Sequence, residues 1–184
     1  MGWIPPVIAF WEKASSTSRL LTRLYALPYR QVIENEIRMG ELGPDDIILN
    51  IGCGAIPFTA MYLATLADAA VYAVDIDPKA VEIARKCVKK AGLSHKITVL
   101  KQDGAAAFDR PFTASVVALQ AAPKTRILDR MKLSSAPGAK FIFRLASAPY
   151  RDQYDALDAG CPADRLVAQP MRTFDRSVLY RNAA

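Results

Sequence analysis

The stretch IILNIGCGAIP at residues 47–57 decides the fold class. It joins a short run of isoleucine and leucine to a glycine turn at Gly52 and Gly54, and an apolar segment follows as far as residue 67. A short apolar run that stops at glycines is typical of a strand buried on both faces. Pro57 is compatible with the start of a helix. The stretch therefore predicts a strand, a turn and a helix of an α/β domain.

The alternation of strands and helices continues along the chain. Such alternation predicts right-handed βαβ units and a mostly parallel sheet that is covered on both faces. The last two strands follow one another without a helix, which predicts an antiparallel strand at the edge of the sheet. The predicted strands are 47–51, 71–75, 97–100, 114–119, 140–145, 165–170 and 174–180, and the predicted helices are 57–67, 78–91, 124–135 and 150–160.

Residues 1–46 form a helical prefix, which we interpret as a lid or packing element in front of a domain at 47–184. Apolar residues between positions 20 and 37 recur at spacings of three and four, as on one face of a helix. Pro28 is expected to break the prefix into two helices. Trp11, Tyr25 and Tyr29 are candidates for an aromatic lid, although plain helix packing is the favoured interpretation for each of them.

Composition excludes several classes of protein. The chain has 184 residues, of which 52% are apolar and 23% charged, so it is a folded domain with a core and not a disordered chain. Cys53, Cys87 and Cys161 are odd in number and far apart, which favours a reduced cytoplasmic protein. The single His95 has no Cys or His at ligand spacing, so no metal site is expected. The uncharged stretch 47–67 is broken by glycines and a proline, so no membrane span is expected.

The formal net charge is +6, and the excess is local. Residues 110–151 hold eight basic side chains against the single acid Asp129, a pattern that raises the question of nucleic acid binding. Without an arginine-rich run, a solvated face with a few anion contacts is favoured. The apolar start at residues 3–11 offers a surface either for a second copy of the chain or for the domain's own sheet.

Three loops at strand ends carry the candidate binding site. Ligands of an open parallel sheet bind beyond the carboxyl ends of its strands. The glycine turn lets a ligand approach the backbone, and the helix after it presents free N–H groups. Asp75 can accept both hydroxyls of a ribose. Asp103 can accept an adenine amine, and Gly104 leaves room for the ring.

An adenosine-type cofactor is therefore expected, and two candidates compete. A dinucleotide fingerprint requires a third glycine three residues after the second. That position is Pro57, and this favours S-adenosylmethionine over a nicotinamide cofactor.

The segments IILNIGCGAIP, AVDIDPKAVEIARKCVKKAG, ITVLKQDGAA and RILDRMKLSSAPGAKFIFR resemble the class I S-adenosylmethionine-dependent methyltransferases. The resemblance covers residues 47–181 and implies a Rossmann-like sheet of seven strands, mostly parallel, with an antiparallel last strand. It implies S-adenosyl-L-methionine as the cofactor. It also implies cofactor contacts: Gly52, Cys53 and Gly54 under the methionine part, Asp75 at the ribose, Ile76 beside the adenine and Asp103 at its amine, with Asn50 where the family usually has an acid facing the ammonium end. Apart from the resemblance, Gln120 after the fourth strand is a candidate for contact with the cofactor or the acceptor, and a plain polar strand end is the alternative interpretation.

A narrower resemblance concerns the group that is transferred. GCGAIPFTAMYLA, DIDPKAVEIA, ASVVALQAAP and LSSAPGAKFIFR are similar to segments of the nicotianamine synthases. Those enzymes share the fold and the cofactor but transfer the aminocarboxypropyl group instead of methyl. They carry a larger N-terminal helical domain than the 46 residues that precede the sheet here.

Catalytic residues are only weakly indicated. Transfer from a sulfonium needs in-line placement of the acceptor, and a general base is optional. Gln120, after the fourth strand, and Tyr29 are the candidates. Glu34 and Glu36 fall on different faces of a helix, so they are not an acid/base pair.

Three hypotheses about function follow. The first is a methyltransferase for a small-molecule acceptor, and the second is an aminocarboxypropyl transferase related to nicotianamine synthase. The third is a non-catalytic module that binds the cofactor or RNA.

Overall fold

The computed structural model describes residues 19–158, 160 and 162–183. Within those residues strands and helices mostly alternate, as the sequence predicts, although no helix separates the third strand from the fourth. The strands are β1 (Ile47–Ile51), β2 (Ala70–Asp75), β3 (Ile97–Lys101), β4 (Ala114–Val117), β5 (Lys140–Ala146), β6 (Arg165–Ala168) and β7 (Phe174–Arg181). The helices are α1 (Arg19–Gly40), α2 (Phe58–Leu66), α3 (Pro78–Lys90) and α4 (Lys124–Ser134), with a 3-10 helix at Ala148–Gln153.

The seven strands form one sheet in the order β3-β2-β1-β4-β5-β7-β6. Strands β1 to β5 pair in parallel, and β7 is antiparallel to β5 and to β6. The predicted mostly parallel sheet with an antiparallel last strand is confirmed. The prediction that the antiparallel strand lies at the edge is wrong, because β7 inserts between β5 and β6 and leaves β6 outermost. A hairpin pattern predicts that two strands pair, but not which of them joins the sheet.

Helices cover both faces of the sheet. Apolar side chains of α1, α2 and α3 form one core with the sheet, and α4 packs on the opposite face together with Phe108 and Phe112. The chain leaves β1 towards β2 and leaves β4 towards β5, on opposite sides of the β1–β4 pair. A crevice at the carboxyl ends of these strands follows from that topology.

The prediction that Pro28 breaks the prefix is wrong. A single helix, α1, runs from Arg19 to Gly40. Proline removes one N–H group, and the cost is of the order of 3 kcal/mol in a helix interior. The packing of α1 offsets it, since Val32 and Ile33 are fully buried against the core.

The predicted helix at 150–160 is also wrong in type and extent. A 3-10 helix occupies Ala148–Gln153, and every one of its residues is at least partly exposed. A short helix in water needs an apolar face to pack, and here Tyr150 and Tyr154 pack against the core only partly buried. Residues 3–11, Trp11, Cys161 and the side chain of Tyr25 lie outside the described part of the chain.

Candidate functional site

The carboxyl ends of the first four strands border an open cleft of about 200 Å³, here called the cofactor cleft. It lies where the topology predicts a crevice. The lining contains the predicted cofactor residues Gly52, Asp75, Ile76, Asp103, Gly104 and Gln120, together with Ile51, Gln102, Ala121, Ala122 and Ile127.

The Asp75 carboxylate ties two loops together at the edge of the cleft. Its Oδ2 accepts the N–H of Gly54 at 2.8 Å, and its Oδ1 accepts the N–H of Asp77 at 3.0 Å. Each carboxylate oxygen has two acceptor sites, so both oxygens can still accept a hydroxyl from a ligand. Asp75 thus shapes the glycine turn and keeps acceptor capacity at the edge of the cleft.

Two glycines of the cleft are required for different reasons. Gly52 has φ +76°, and a Cβ there would lie 3.1 Å from the Cβ of Ala118. A Cβ on Gly104 would lie 2.3 Å from Cγ2 of Ile51. Gly104 is therefore needed for its packing against Ile51, whereas the sequence suggested only room for a ring.

Beyond β2 and β3 the cleft has an apolar wall and a carboxylate. Ile76 is 65% exposed although it is a large apolar residue, and it faces the cleft. Asp103 accepts the N–H of Ala105 through Oδ1 at 2.9 Å. Among the described residues its Oδ2 has no hydrogen-bond partner, so that oxygen is available to a ligand amine.

Three of the predicted cofactor residues, Asn50, Cys53 and Gly54, lie outside the cleft lining. Asn50 is fully buried, and its Nδ2 donates to the carbonyl of Val116 at 3.1 Å. Its Oδ1 has no partner in the described part of the chain. Burial, and then the negative charge of Asp75, raise the pKa of the Cys53 thiol to about 12, so the thiol is neutral at physiological pH. Gly54 contributes its backbone N–H to Asp75.

A second cavity, of about 340 Å³, adjoins the cleft and is here called the aromatic cavity. Gln120 lines both spaces, and Tyr29 lines the aromatic cavity, so the two weak catalytic candidates meet at one site. The complete lining of the aromatic cavity is Tyr29, Phe58, Leu119, Gln120, Arg144, Tyr154, Met171, Thr173 and Phe174.

A buried ion pair forms one wall of the aromatic cavity. Arg144 donates from Nε and Nη2 to the two carboxylate oxygens of Glu36, both at 2.8 Å. Its Nη1 donates to the Tyr29 hydroxyl at 2.6 Å and to Thr59 Oγ1 at 3.1 Å. Burial acts to lower the pKa of Arg144, but Glu36 and Tyr29 outweigh burial and raise it. The guanidinium therefore stays charged and fixes the position of the Tyr29 hydroxyl.

Further hydrogen bonds hold Glu36 from behind. Ser177 on β7 donates to Glu36 Oε1 at 2.8 Å, and Gln169 Nε2 donates to the Ser177 hydroxyl at 2.9 Å. Asn35 Nδ2 donates in turn to Gln169 Oε1 at 3.1 Å. This network joins α1 to β5 and β7, so the prefix helix is built into the wall of the cavity.

Comparison with known proteins identifies the domain. Residues 48–138 match the family model of a methyltransferase domain. Residues 48–138 therefore form a methyltransferase domain, and the chain resembles the class I S-adenosylmethionine-dependent methyltransferases. The curated relatives that match are named as transferases, and similar solved structures hold S-adenosylmethionine or S-adenosyl-L-homocysteine.

Three similar proteins show how far the resemblance of this methyltransferase domain extends. The L-histidine 2-aminobutanoyltransferase of Yersinia pestis is 25% identical over 96% of this chain and 66% of its own length. A crystal structure of an MtNAS variant in complex with S-adenosylmethionine superposes with a TM-score of 0.79 at 21% identity, over 98% of this chain and 73% of that chain. An RNA methyltransferase from Salinibacter ruber, in complex with S-adenosyl-L-homocysteine, has a TM-score of 0.64 at 17% identity, over 83% of this chain and 91% of that chain.

Sequence reasoning missed the ion pair of Glu36 and Arg144. The prediction that Glu34 and Glu36 face different ways is confirmed, since Glu34 pairs with Arg30 on the helix surface at 2.7 Å and Glu36 is fully buried. One signal was available: Glu36 follows Ile33 by three residues on the apolar face of α1. A carboxylate on such a face needs a buried cation as its partner.

The basic stretch at 110–151 does not form one surface patch. Lys124 and Arg144 are buried, and Lys140 pairs with Asp46 at 2.9 Å. Arg110 lies over the ring of Tyr72, 5.4 Å from its centroid. Three of the eight basic side chains, Lys124, Lys140 and Arg144, are thus engaged inside the fold or in an ion pair.

Metal and membrane features can be reported for the described ranges alone. Between residues 19 and 183, leaving out 159 and 161, no group of His, Cys, Asp and Glu is arranged to hold a metal ion. None of the helices described over that range is long and apolar enough to cross a membrane.

Proposed function

We propose that this chain transfers a carbon group from S-adenosylmethionine to a small molecule bound in the aromatic cavity. One observation carries the proposal: Gln120 lines both the cofactor cleft and the aromatic cavity. A donor in the first space and an acceptor in the second would meet beside this residue. In-line placement of two reactants is the main requirement for transfer from a sulfonium.

The hydrogen-bonding groups of the cofactor cleft suit S-adenosylmethionine. In our proposal the two oxygens of Asp75 hold the ribose hydroxyls, and the free Oδ2 of Asp103 accepts the adenine amine. Ile76 lies against the adenine ring. The turn at Gly52 passes under the methionine part, where its missing side chain lets the backbone approach. Asn50, buried and neutral, supplies no carboxylate for the ammonium end.

We propose the aminocarboxypropyl chain as the transferred group. Its support is the extent of the similarity: the matches to the aminobutanoyltransferase and to MtNAS span 96% and 98% of this chain. They therefore include most of α1, β5 and β7, which build the aromatic cavity. The match to the methyltransferase domain model ends at residue 138, before β5 begins. The chain spans 66% of the length of the Yersinia pestis enzyme, whose acceptor we do not transfer to it.

The step balances without a further reagent. A lone pair of the acceptor forms a bond to the γ carbon of the methionine chain, the carbon–sulfur bond breaks, and methylthioadenosine leaves as a neutral thioether while the acceptor gives up a proton. Tyr29, held by Arg144 and Thr59, orients the acceptor through its hydroxyl. Gln120 holds the reacting groups together. The loss of positive charge at sulfur favours a cavity whose single lining cation among the described residues, Arg144, is already neutralised by Glu36.

Methyl transfer to a small molecule is the second candidate. The match of residues 48–138 to a methyltransferase domain favours it, since these residues build most of the cofactor cleft. The two reactions differ in which bond to sulfur breaks, and so in the nucleoside that is released. The free thiols Cys53 and Cys87 suit a reducing compartment, and we propose a cytoplasmic location on that ground.

The identity of the released nucleoside tests the proposal. The purified chain is incubated with S-adenosylmethionine and a pool of small amines and amino acids, and the nucleosides are separated by chromatography. Methylthioadenosine is expected, in an amount that depends on the pool and falls at least tenfold in Tyr29→Phe. Release of S-adenosylhomocysteine would reassign the reaction to methyl transfer. Binding of S-adenosylmethionine without release of either nucleoside would overturn both candidates.

A further inference from the structure

Lys124 is a fully buried lysine at the first position of α4. Its ammonium donates to the carbonyl oxygens of Leu119 at 2.6 Å and Ala121 at 3.0 Å. Burial lowers the pKa of Lys124, so folding works against the charge of this side chain. A cation in such a place needs a compensating role, because burying charge is costly.

The two carbonyls flank a single residue, Gln120. The loop from Leu119 to Pro123 runs from the end of β4 to the start of α4, and Gln120 and Ala121 face the cofactor cleft from it. Two hydrogen bonds from one ammonium fix the peptide unit that joins Leu119 to Gln120 and the one that joins Ala121 to Ala122. The placement of the Gln120 side chain between cleft and cavity therefore depends on the ammonium of Lys124.

Asp155, an exposed residue, also holds the start of α4 in place. The Asp155 carboxylate accepts the backbone N–H of Lys124. Asp155 belongs to the segment that follows the 3-10 helix, and its neighbour Tyr154 lines the aromatic cavity. The start of α4 is thus the point where the cofactor loop and a wall of the aromatic cavity are tied together.

We propose that Lys124 and Asp155 are positioning residues that clamp the loop of residues 119–123 and hold Gln120 at the boundary between the two spaces. Neither side chain lines the cofactor cleft, so both act through Gln120 and not by touching the donor. The inference rests on the proposed function in taking the cleft as the site of S-adenosylmethionine.

Calorimetric titration of the full chain with S-adenosylmethionine tests the clamp without a known acceptor. Lys124→Met keeps an apolar stem and removes the ammonium, and a loss of at least tenfold in affinity is expected. Lys124→Arg keeps a cation with several donors, and its affinity should recover to within about threefold of the wild type. Arg126→Met, an exposed position on the same helix, removes the same charge away from the loop and should leave affinity unchanged.

A double-mutant cycle separates positioning from a general structural role. If Lys124 acts through Gln120, Lys124→Met should cost little further affinity once Gln120→Ala is in place. An equal loss in both backgrounds, or wild-type affinity in a folded Lys124→Met protein, would overturn the inference.

If Lys124→Met does not fold, Asp155→Ala at the exposed half of the clamp takes its place in the double-mutant cycle. Asp155→Ala should then cost little further affinity once Gln120→Ala is in place. Additive losses of affinity from Asp155→Ala and Gln120→Ala would overturn the inference. A wild-type chain that does not bind S-adenosylmethionine at all would instead refute the proposed function. The absence of product despite normal binding leaves the clamp intact and refutes only the proposed transfer.

Discussion

The cofactor cleft and the aromatic cavity are built in opposite ways. The cleft consists of short segments that follow strand ends, and its contacts span modest separations, such as 2 positions from Asp75 to Asp77 and 21 from Gly54 to Asp75. The cavity joins residues that are far apart: Arg144 and Glu36 are separated by 108 positions, and Ser177 and Glu36 by 141. The cleft is open at its wall, with Ile76 65% exposed, whereas the ion pair of the cavity is 2% exposed or less. Donor binding thus depends on local motifs, and the acceptor wall depends on the assembled fold.

The largest effect is expected where that buried wall is broken. Glu36→Gln removes the charge that neutralises Arg144 and leaves a buried guanidinium uncompensated. The free energy of unfolding should fall by about 3–5 kcal/mol. Chemical denaturation measures it. Glu34→Gln is the matched control on the same helix, because loss of its half-exposed pair with Arg30 should cost less than about 1 kcal/mol. Equal losses in the two variants would contradict the contrast drawn here.

The second-largest effect is expected on the affinity of the cofactor cleft for S-adenosylmethionine. Asp75→Ala removes the proposed ribose acceptor and the tie to Gly54. The affinity for S-adenosylmethionine should weaken about 100-fold, which corresponds to about 2.7 kcal/mol by calorimetry. Asp77→Ala is the control: it removes the N-cap of α3, at a cost of about 1 kcal/mol in stability, and should leave affinity unchanged. Unchanged affinity in Asp75→Ala would refute the ribose role.

A smaller effect tests how the cleft floor packs. Gly104→Ala places a Cβ 2.3 Å from Cγ2 of Ile51, so the free energy of unfolding should fall by about 1–3 kcal/mol. Gly43→Ala is the control, since a Cβ there meets nothing within 4 Å. Ile51→Ala should lower the free energy of unfolding by less in the Gly104→Ala background than in the wild-type protein. Strict additivity of the two would show that the contact with Ile51 is not the cause.

The smallest effect is expected in the reactivity of the Cys53 thiol, measured as its rate of alkylation at different pH values. With its pKa raised to about 12 by burial and by Asp75, the thiol should be alkylated at pH 8 on the order of a thousandfold more slowly than a free thiol. Unfolded cysteine ionises near pH 8.5, so the folded state keeps a proton that the unfolded state releases. Stability from this group is complete below about pH 8.5 and falls as pH rises towards 12. Mass spectrometry identifies the labelled cysteine, and rapid labelling of Cys53 in the folded protein at pH 8 would contradict this expectation.

The contrast between local segments in the cleft and long-range contacts in the cavity explains how much of each region the sequence could predict. Asp75, Ile76 and Asp103 lie at the ends of apolar strands or within two residues of them. Parallel strands bring their carboxyl ends to one edge, so the convergence of these residues could be predicted. Glu36 and Arg144 meet only because α1 packs across β5 and β7, and no local pattern gives that pairing. Their contacts needed the three-dimensional arrangement.

The same limit explains the wrong predictions about secondary structure. Pro28 has a local cost that predicts a helix break, but the burial of Val32 and Ile33 outweighs it. The segment 150–160 shows a weak helical pattern, but only a few of its side chains, such as Tyr150 and Tyr154, pack against the core. Propensity is a local property, and the packing that overrides it is not.

By itself the sequence determined the α/β class, the mostly parallel sheet, the glycine turn and the carboxylates of the cofactor cleft. It did so because the period of apolar residues and the turn residues act over a few positions. Only the tertiary structure decided that β7 lies inside the sheet, that α1 is one helix, that Gln120 belongs to two spaces at once, and that Lys124 is buried behind it. Those outcomes depend on which surfaces, distant in the sequence, pack together. That packing is determined by the burial of apolar surface over the whole fold.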